Sequence, residues 1–273
     1  MSSGSDRIQK ILAQMGLCSR RQAEDLIREG AITINGKVAK LGDKATLGED
    51  SIKLNGKLLT KSQSAAPIYL AFNKPKGVIA MFGGDPEHRP TLDGYFTKIR
   101  QRIFPIGRMD FNGDGLILLT NDGEISEKIQ KAKNIVRVYH AKIKGHHGEE
   151  TLRAIYRGAR IDRRAIKPYG VKIHKKLPNK TIIEVVFQGS GSLEVKELFR
   201  LKRLLLEKVT RVAMGQIKLG ALKPGEYRLL KKSQLEALLE RPELGLREHE
   251  QGIKTPPQPI VRLSTSPRNS TSG

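Results

Sequence analysis

Five apolar runs with the composition of β-strands lie in the part of this 273-residue chain that follows residue 67, and they constrain its fold more than any other feature. These runs are Ile68–Phe72, Gly115–Leu119, Val136–Ile143, Thr181–Val186 and Val209–Val212. Helical patterns lie between them at Ser126–Lys131, Glu149–Tyr156 and Leu193–Leu206. Because strands and helices interleave without a strict βαβ repeat, the sequence predicts an α+β fold with a mainly antiparallel sheet and flanking helices.

The first sixty residues predict a smaller unit of their own. Apolar residues recur at helical spacing in the first fifteen positions, and Ser19 with Gln22 three residues later forms a capping-box pattern for a second helix. Asn35-Gly36 and Asn55-Gly56 each lie between alternating apolar residues, the strongest short signal for a β-hairpin. We therefore predict a helix-helix-hairpin domain over residues 1–60.

The segments that flank the larger domain are polar. Lys61–Pro67 is rich in Ala and Ser and predicts a flexible linker, which leaves residues 68–240 for the larger domain. After Arg241 the chain becomes polar, and it contains Pro256, Pro257, Pro259 and Pro267 among Ser and Thr. Residues 241–273 are accordingly predicted to be a disordered tail.

The chain is strongly basic, with 50 Lys and Arg against 28 Asp and Glu and a formal net charge of +22. Most of the surplus lies in two stretches. Lys131–Lys180 has 15 basic and 3 acidic residues, and Lys196–Lys232 has 11 and 3. A solvated face is the simpler explanation of such charge, but two dense basic stretches around a folded core favour a surface that binds the phosphates of a nucleic acid.

Several other classes are disfavoured. No apolar run approaches the roughly 20 residues of a membrane span, and no cationic helix has a continuous apolar face outside the apparent core. One cysteine provides no disulfide framework, and four histidines lack metal-ligand spacing and cysteine partners: His88, His140, His146 and His147. We expect a soluble, cytoplasmic, monomeric protein with no cofactor and no metal.

The segment Ile103–Glu124 carries the most chemical information. It places Asp110 in a glycine-rich loop directly before an apolar strand, so a carboxylate there would be held against the sheet with its tip exposed. Taken alone, an aspartate in such a loop is most often a turn residue or a helix cap.

Resemblance to known families adds to this. The first forty residues share Leu12, Gly16, Ser19-Arg20-Arg21, Ala23, Gly30 and Asn35-Gly36 with the small RNA-binding domain first described in a ribosomal small-subunit protein. An unrelated helix-helix-hairpin is the alternative. The resemblance implies that the arginine-bearing helix lies against structured RNA.

The larger domain resembles the pseudouridine synthases that act on bacterial ribosomal RNA and carry a fused N-terminal RNA-binding domain. The resemblance rests on these segments in order: Asn73–Gly77, Gly107–Asp110, Gly115–Gly123, Val138–Ile143 and Leu219–Arg228. It implies an RNA pseudouridine synthase, an isomerase that modifies ribosomal RNA or a pre-ribosomal particle. Asp85–Thr91 resembles a stretch of the large-subunit members and weakly favours that subunit.

The resemblance also implies roles for particular residues. Asp110 is expected to be the catalytic carboxylate, either as nucleophile or as base, with Tyr139 stacking on the uracil and Lys196 pairing with Asp110. The residues expected to contact RNA are Arg20, Arg21, Arg28, Lys74, Lys76, Arg89 and Arg108. No metal is expected in the reaction.

One segment departs from the family pattern. Where the family has two consecutive arginines before its long helix, this chain has Lys196 and Glu197, in a region that is one residue longer. The charge is kept at the first position and reversed at the second. A degenerate synthase that binds RNA and acts in ribosome assembly without catalysis therefore remains the alternative function.

Overall fold

The computed structural model describes residues 5–60, 65–161, 163–189, 191–242 and 253–254. Its N-terminal elements are β1 (Asp6–Arg7), α1 (Ile8–Gln14), α2 (Arg20–Arg28), β2 (Ile32–Ile34), β3 (Lys37–Val38), β4 (Lys44–Ala45), β5 (Ile52–Leu54) and β6 (Lys57–Leu58). The strands form a four-stranded sheet in the order β3-β2-β5-β6 and a separate β1-β4 pair.

Local signals determine much of this unit. The Ser19 hydroxyl accepts a hydrogen bond from the Gln22 amide at 3.1 Å, and the Gln22 side chain accepts one from the Ser19 amide at 2.8 Å. The predicted capping box is thus confirmed, and α2 begins at the next residue. Asn35 and Asn55 have φ angles of 49° and 48°, the left-handed conformation that tight hairpin turns require. Both predicted hairpins are present, as β2-β3 and β5-β6.

The N-terminal unit buries a core of its own. Ile8, Leu12, Ala23, Ile32 and Ile52 are fully buried in one cluster, whose members all lie within the first sixty residues. This agrees with a separate domain. The exact boundaries stay a prediction, and residues 61–64 of the predicted linker lie outside the described residues.

The rest of the chain is built around one large sheet. Its strands are β7 (Tyr69–Lys74), β8 (Phe104–Pro105), β9 (Asp114–Thr120), β10 (Val136–Lys144), β13 (Gly170–Leu177), β14 (Lys180–Gln188), β15 (Leu206–Met214), β16 (Ile217–Lys218), β17 (Tyr227–Leu229) and β18 (Ile253–Lys254). The order is β17-β7-β9-β15-β10-β14-β13-β18, with β8 beside β9 and β16 beside β15. β9 and β15 are parallel, and the other pairs in the sheet are antiparallel. The predicted α+β class with a mainly antiparallel sheet is confirmed. A small hairpin, β11 (Ala159–Ile161) and β12 (Arg164–Ile166), lies apart from it.

In the part of the chain that the structure describes, four helices flank the sheet: α3 (Gly123–Lys131), α4 (Glu149–Tyr156), α5 (Ser192–Leu201) and α6 (Lys232–Glu240). α4 and α5 cover the face of β10 that carries Tyr139, and they form one apolar cluster with it. α3 and α6 pack together elsewhere, against the β7-β9 part of the sheet.

The predicted helix Leu193–Leu206 is wrong at its end. α5 stops at Leu201, Arg203 takes a positive φ of 56°, and β15 begins at Leu206. Neither α6 nor β13 was predicted. The sequence does not predict β13, because its exposed positions are lysines and a histidine, which obscure the apolar alternation.

The predicted disordered tail is incorrect for two residues. Ile253 and Lys254 form β18, which pairs with Val171 and Gly170 of β13. Residues 243–252 and 255–273 lie outside the described residues. Among the described helices, none has the length and apolar character needed to cross a membrane.

Candidate active site

Asp110 lies in the loop between β8 and β9. The Gly113 amide donates to the Asp110 carbonyl oxygen at 2.9 Å, which closes a tight turn. A Cβ atom on Gly113 would lie 2.6 Å from Oδ1 of Asp110, so a larger side chain there would displace the carboxylate. The loop leads into β9, which is buried along its whole length. Asp110 is thus held against a rigid strand.

Two side chains of α5 hold the Asp110 carboxylate. Lys196 Nζ lies 2.6 Å from Oδ2, and the Ser192 hydroxyl donates to Oδ1. The Asp110 and Lys196 side chains are 17% and 26% exposed, so both are reachable from solvent. Burial alone would raise the pKa of Asp110, but the hydrogen bonds from Lys196 and Ser192 and the lysine charge outweigh it. The pKa of Asp110 is lowered, and the carboxylate is ionised at neutral pH.

Helical spacing explains why these two residues converge. Ser192 and Lys196 are four residues apart and therefore lie on one face of α5. The adjoining face carries Val195, Leu198 and Phe199, which are fully buried against the sheet. The apolar face anchors the helix, and its polar face is thereby directed towards Asp110.

Tyr139 lies in β10, beneath α5, and is completely buried. Its ring packs edge-on against Phe187 at a centroid distance of 6.4 Å. Burial raises the pKa of Tyr139, opposed by the charges of Arg211 and Arg137 and by a hydrogen bond from Arg211. The ring is not open to solvent, so stacking against a uracil would require α5 to move. The stacking role of Tyr139 stays a prediction.

Lys74 corrects one expectation. It was expected to contact RNA, but it is fully buried, and its ammonium donates to the carbonyl oxygens of Val78 at 2.6 Å and Pro75 at 2.9 Å. Burial lowers its pKa to about 8, against the opposing charges of Asp110 and Asp114. A buried ammonium cannot reach a phosphate. Lys74 instead fixes the backbone beneath the Asp110 loop.

A cleft of about 540 Å³ lies beside Asp110 and is mainly cationic. Its basic lining residues are Lys76, Lys144, Lys196, Arg200 and Lys208. Asn112 of the Asp110 loop also lines it, and Glu207 and Asp114 are its acidic members. Such a cleft attracts an anionic polymer and directs it to the carboxylate.

The other residues expected to bind RNA lie in different surroundings. Lys76, Arg108, Arg20 and Arg21 are exposed. Arg20 also lines a second cavity of about 460 Å³, between the N-terminal unit and α3, together with Lys10, Arg102 and Lys131. Arg28 pairs with Asp25 at 2.6 Å, and Arg89 pairs with Asp85 at 2.9 Å and Glu87 at 3.2 Å. To bind RNA, these two arginines would have to release their carboxylate partners and contact a phosphate instead.

Sequence reasoning missed three residues of the site. Ser192 lies in the segment that departs from the family pattern, where nothing in the sequence distinguishes it. Arg211 is almost fully buried in β15, donates to the Leu116 carbonyl oxygen at 2.6 Å and lies opposite Tyr139 in the strand register. Arg137, two residues before Tyr139 on β10, brings a second positive charge near the tyrosine. An arginine within an apolar strand is a signal that could have identified Arg211.

Two protein families match different parts of the chain. Residues 6–52 match the S4 domain family. Residues 68–190 match the RNA pseudouridylate synthase family, and this range contains Asp110 and Tyr139. Lys196 and Ser192 lie beyond the matched range.

Individual proteins resemble the chain over most of its length. Ribosomal large subunit pseudouridine synthase B of Bacillus subtilis is 37% identical over 229 residues, which cover 82% of this chain and 92% of the relative. An uncharacterized RNA pseudouridine synthase of Aquifex aeolicus is 33% identical over 234 residues, covering 85% and 93%. A crystal structure of a pseudouridylate synthase aligns with a TM-score of 0.56 at 26% identity, covering 85% of this chain and 99% of that one.

Proposed function

Since this chain belongs to the RNA pseudouridine synthases that carry an N-terminal S4 domain, we propose that it isomerises a uridine of large-subunit ribosomal RNA, with Asp110 as the catalytic carboxylate. The observation that carries the assignment of Asp110 is the pair of contacts from Lys196 and Ser192, which keep an ionised carboxylate at the edge of a cationic cleft.

The choice of substrate draws on two observations. The Bacillus subtilis relative is named for the ribosomal large subunit, and the chain covers 92% of it. Asp85–Thr91, whose sequence resembles large-subunit members, forms an exposed loop in which Asp85 accepts two hydrogen bonds from Arg89, at 2.9 and 3.0 Å. This loop is available for contact with RNA outside the cleft.

The reaction needs few groups because it is an isomerisation without redox change. The bond from ribose C1′ to uracil N1 breaks, the base rotates, and C1′ bonds to C5. C5 loses a proton and N1 gains one, so the atoms balance. An ionised carboxylate assists either as a nucleophile at C1′ or as a base that removes a ribose proton. Lys196 keeps Asp110 ionised for both routes, which stay open.

The target base must leave the RNA stack, since a stacked uracil cannot rotate. Tyr139 is the proposed surface for the extruded uracil, because aromatic rings stack with a base through its π-face. Its burial under α5 implies that RNA binding shifts the start of this helix. Ser192 and Lys196 would move with it, so binding and arrangement of the carboxylate are coupled.

The RNA path runs from the cleft to the S4 domain. Lys76 and Arg108 are exposed near the Asp110 loop, and Arg20 and Arg21 are exposed on α2. Phosphate contacts of this kind position a nucleic acid without specifying its sequence. The S4 domain would therefore contribute mainly affinity and orientation.

The alternative, an RNA-binding protein without catalysis, rested on the altered sequence of α5. The altered helix nevertheless brings an ammonium to 2.6 Å from the Asp110 carboxylate, so the change leaves a charge partner in place. This geometry favours the enzyme.

Mapping pseudouridines in ribosomal RNA from cells with and without this chain tests the proposal and identifies the uridine. Restoring the wild-type chain should restore the modification, whereas Asp110→Asn should not. Glu197→Gln is the matched control, because Glu197 is a carboxylate on α5 itself that pairs with Arg200 and makes no contact with Asp110. Unchanged modification on loss of the chain would refute the proposed substrate, and rescue by Asp110→Asn would refute the proposed carboxylate.

A further inference from the structure

The face of the sheet opposite α5 carries a compact group of side chains that the proposed reaction does not use. Side chains alternate along a strand, so His140 points away from the face that carries Tyr139. Glu184 of β14 lies directly opposite His140 in the strand register, and His174 lies at the irregularity where β13 pairs with β14. Three adjacent strands thus bring three potential metal ligands together.

The donor atoms of this group are close to the arrangement that a metal needs. One ligand atom from each of His140, His174 and Glu184 lies within 4.8 Å of the other two. His140 Nε2 is 3.1 Å from Glu184 Oε2, and the two imidazole rings lie 4.0 Å apart at 30°. Ligand atoms around a tetrahedral zinc ion are roughly 3.3–3.6 Å apart, since each bond is about 2.0–2.2 Å. The His140–Glu184 pair already approaches that separation.

The third ligand can move to complete the site. His174 is exposed and lies at the β13 irregularity, so rotation of its ring displaces no core side chain. Glu184 and His140 are held more firmly, since Glu184 is buried and His140 is partly so. Two fixed ligands and one adjustable ligand are suited to capture of an ion from solution.

Lys172 competes for the carboxylate. Its ammonium lies 3.2 Å from Glu184, but it contacts Oε1, whereas His140 faces Oε2. A metal at Oε2 would therefore take the place of the His140 contact and leave the contact with Lys172 intact. The lysine charge weakens binding of a cation through repulsion.

We propose that His140, His174 and Glu184 bind a divalent transition metal of the zinc class, with the fourth position left to water. Two imidazoles and one carboxylate are a donor set that zinc accepts. The ion would link β10, β13 and β14 next to β18, and its role is structural because it lies on the opposite face of the sheet from Asp110. The site is independent of the proposed reaction.

Metal titration of the full-length protein, freed of affinity tag and pre-treated with chelator, tests the site. Co²⁺ should produce the visible absorption of a tetrahedral complex with a one-to-one end point, and Zn²⁺ should displace it. His174→Ala should weaken binding at least about tenfold, in the manner of a lost ligand. Because His174 is exposed, this variant is expected to fold. His147→Ala is the control, since His147 contacts Lys144 and Thr151 away from the cluster.

Lys172→Met provides a test in the opposite direction. Removing the competing ammonium should tighten Co²⁺ binding severalfold, whereas Lys175→Met, which removes an exposed lysine from the same strand, should change it less. Absence of saturable binding in the wild type, or equal binding in wild type and His174→Ala, would overturn the proposal. Tighter binding in Lys172→Met that is lost on adding His174→Ala would support it.

Discussion

Two carboxylates, on opposite faces of the same sheet, each have a lysine partner, yet their surroundings differ. Asp110 lies in a loop under the polar face of α5, with Lys196 at 2.6 Å and a cationic cleft beside it. Glu184 lies in the middle of β14, with Lys172 at 3.2 Å and two histidines beside it. Asp110 is reachable by a large polyanion, whereas Glu184 is reachable only by a small ion.

The comparison shows that an ion pair alone does not define a function. What distinguishes Asp110 is that its cation and its neutral donor come from one helix, whose apolar face packs on Tyr139. What distinguishes Glu184 is that its neighbours are themselves metal ligands on adjacent strands. The five predictions that follow separate the two sites, in order of decreasing effect.

Removing the charge of each carboxylate should give opposite results. Asp110→Asn should fold and bind RNA but lose roughly 10³-fold or more in turnover, the scale expected when a group that acts on the reacting atoms is removed. Glu184→Gln should keep turnover but lose roughly 1–3 kcal/mol of stability, because Lys172 loses its charged partner. Single-turnover assays and urea unfolding measure both. Comparable turnover losses in the two variants would erase the distinction.

Removing the lysine partner of Asp110 should lower turnover more than removing the lysine partner of Glu184. Lys196→Ala should lose about 10- to 100-fold in turnover, equivalent to roughly 1.4–2.8 kcal/mol of barrier. Lys196→Arg should keep most activity if the charge is what matters. Lys172→Ala, the counterpart on the other face, should leave turnover unchanged.

The pH profile gives an independent readout of Lys196. Lys196 lowers the pKa of Asp110, so its removal raises that pKa. The ionised carboxylate is the active form, and activity falls as pH drops through its pKa. The acidic limb should therefore move to higher pH in Lys196→Ala and stay near the wild-type position in Lys196→Arg. Identical pH profiles in all three proteins would mean that another basic residue sets the pKa of Asp110.

The contact between Lys196 and Asp110 could be predicted from the sequence because its signals are local or follow a known motif, whereas the catalytic roles stay predictions. The glycines around Asp110 are adjacent in the chain, and the placement of Lys196 depended only on aligning one helix. The capping box at Ser19 and the Asn-Gly turns were predictable for the same reason, since their contacts span a few residues. Each of these elements was found by reading a short stretch.

The group around Glu184 was not predictable in this way. His140 and Glu184 are 44 residues apart, and only the strand register shows that they meet. The sequence around His140 accordingly shows no metal-ligand spacing, and nothing in the sequence links His174 to it. The prediction that Lys74 contacts RNA was wrong for a related reason. The loop that buries Lys74 is closed by hydrogen bonds from its ammonium to the carbonyl oxygens of Val78 and Phe111. Burial of a lysine depends on such closure, which its motif does not reveal.

Salt dependence should distinguish the two faces by their lysines. Lys76 lies at the Asp110 cleft and Lys175 near the Glu184 group, and both are exposed. If RNA follows the cleft, Lys76→Gln should reduce the slope of log K against log salt by roughly 0.7–0.9, the value of one phosphate contact. Lys175→Gln should leave the slope as in the wild type. Equal slopes in all three proteins would mean that the RNA does not contact Lys76.

The smallest effect is expected at the neutral partner of Asp110. Ser192 donates a hydrogen bond to Oδ1 but adds no charge, so its loss removes one neutral interaction and leaves Lys196 in place. A neutral hydrogen bond contributes about 0.5–1.5 kcal/mol, which predicts a loss of turnover of roughly 2- to 10-fold in Ser192→Ala. Because Ser192 also lowers the pKa of Asp110, the acidic limb should shift in the same direction as in Lys196→Ala, but less. Turnover and pH profile of Ser192→Ala, Lys196→Ala and the double variant measure this in one series. If Ser192→Ala loses as much activity as Lys196→Ala, the position of the Asp110 carboxylate matters more than the charge beside it. The difference between Asp110 and Glu184 would then lie in the geometry of α5.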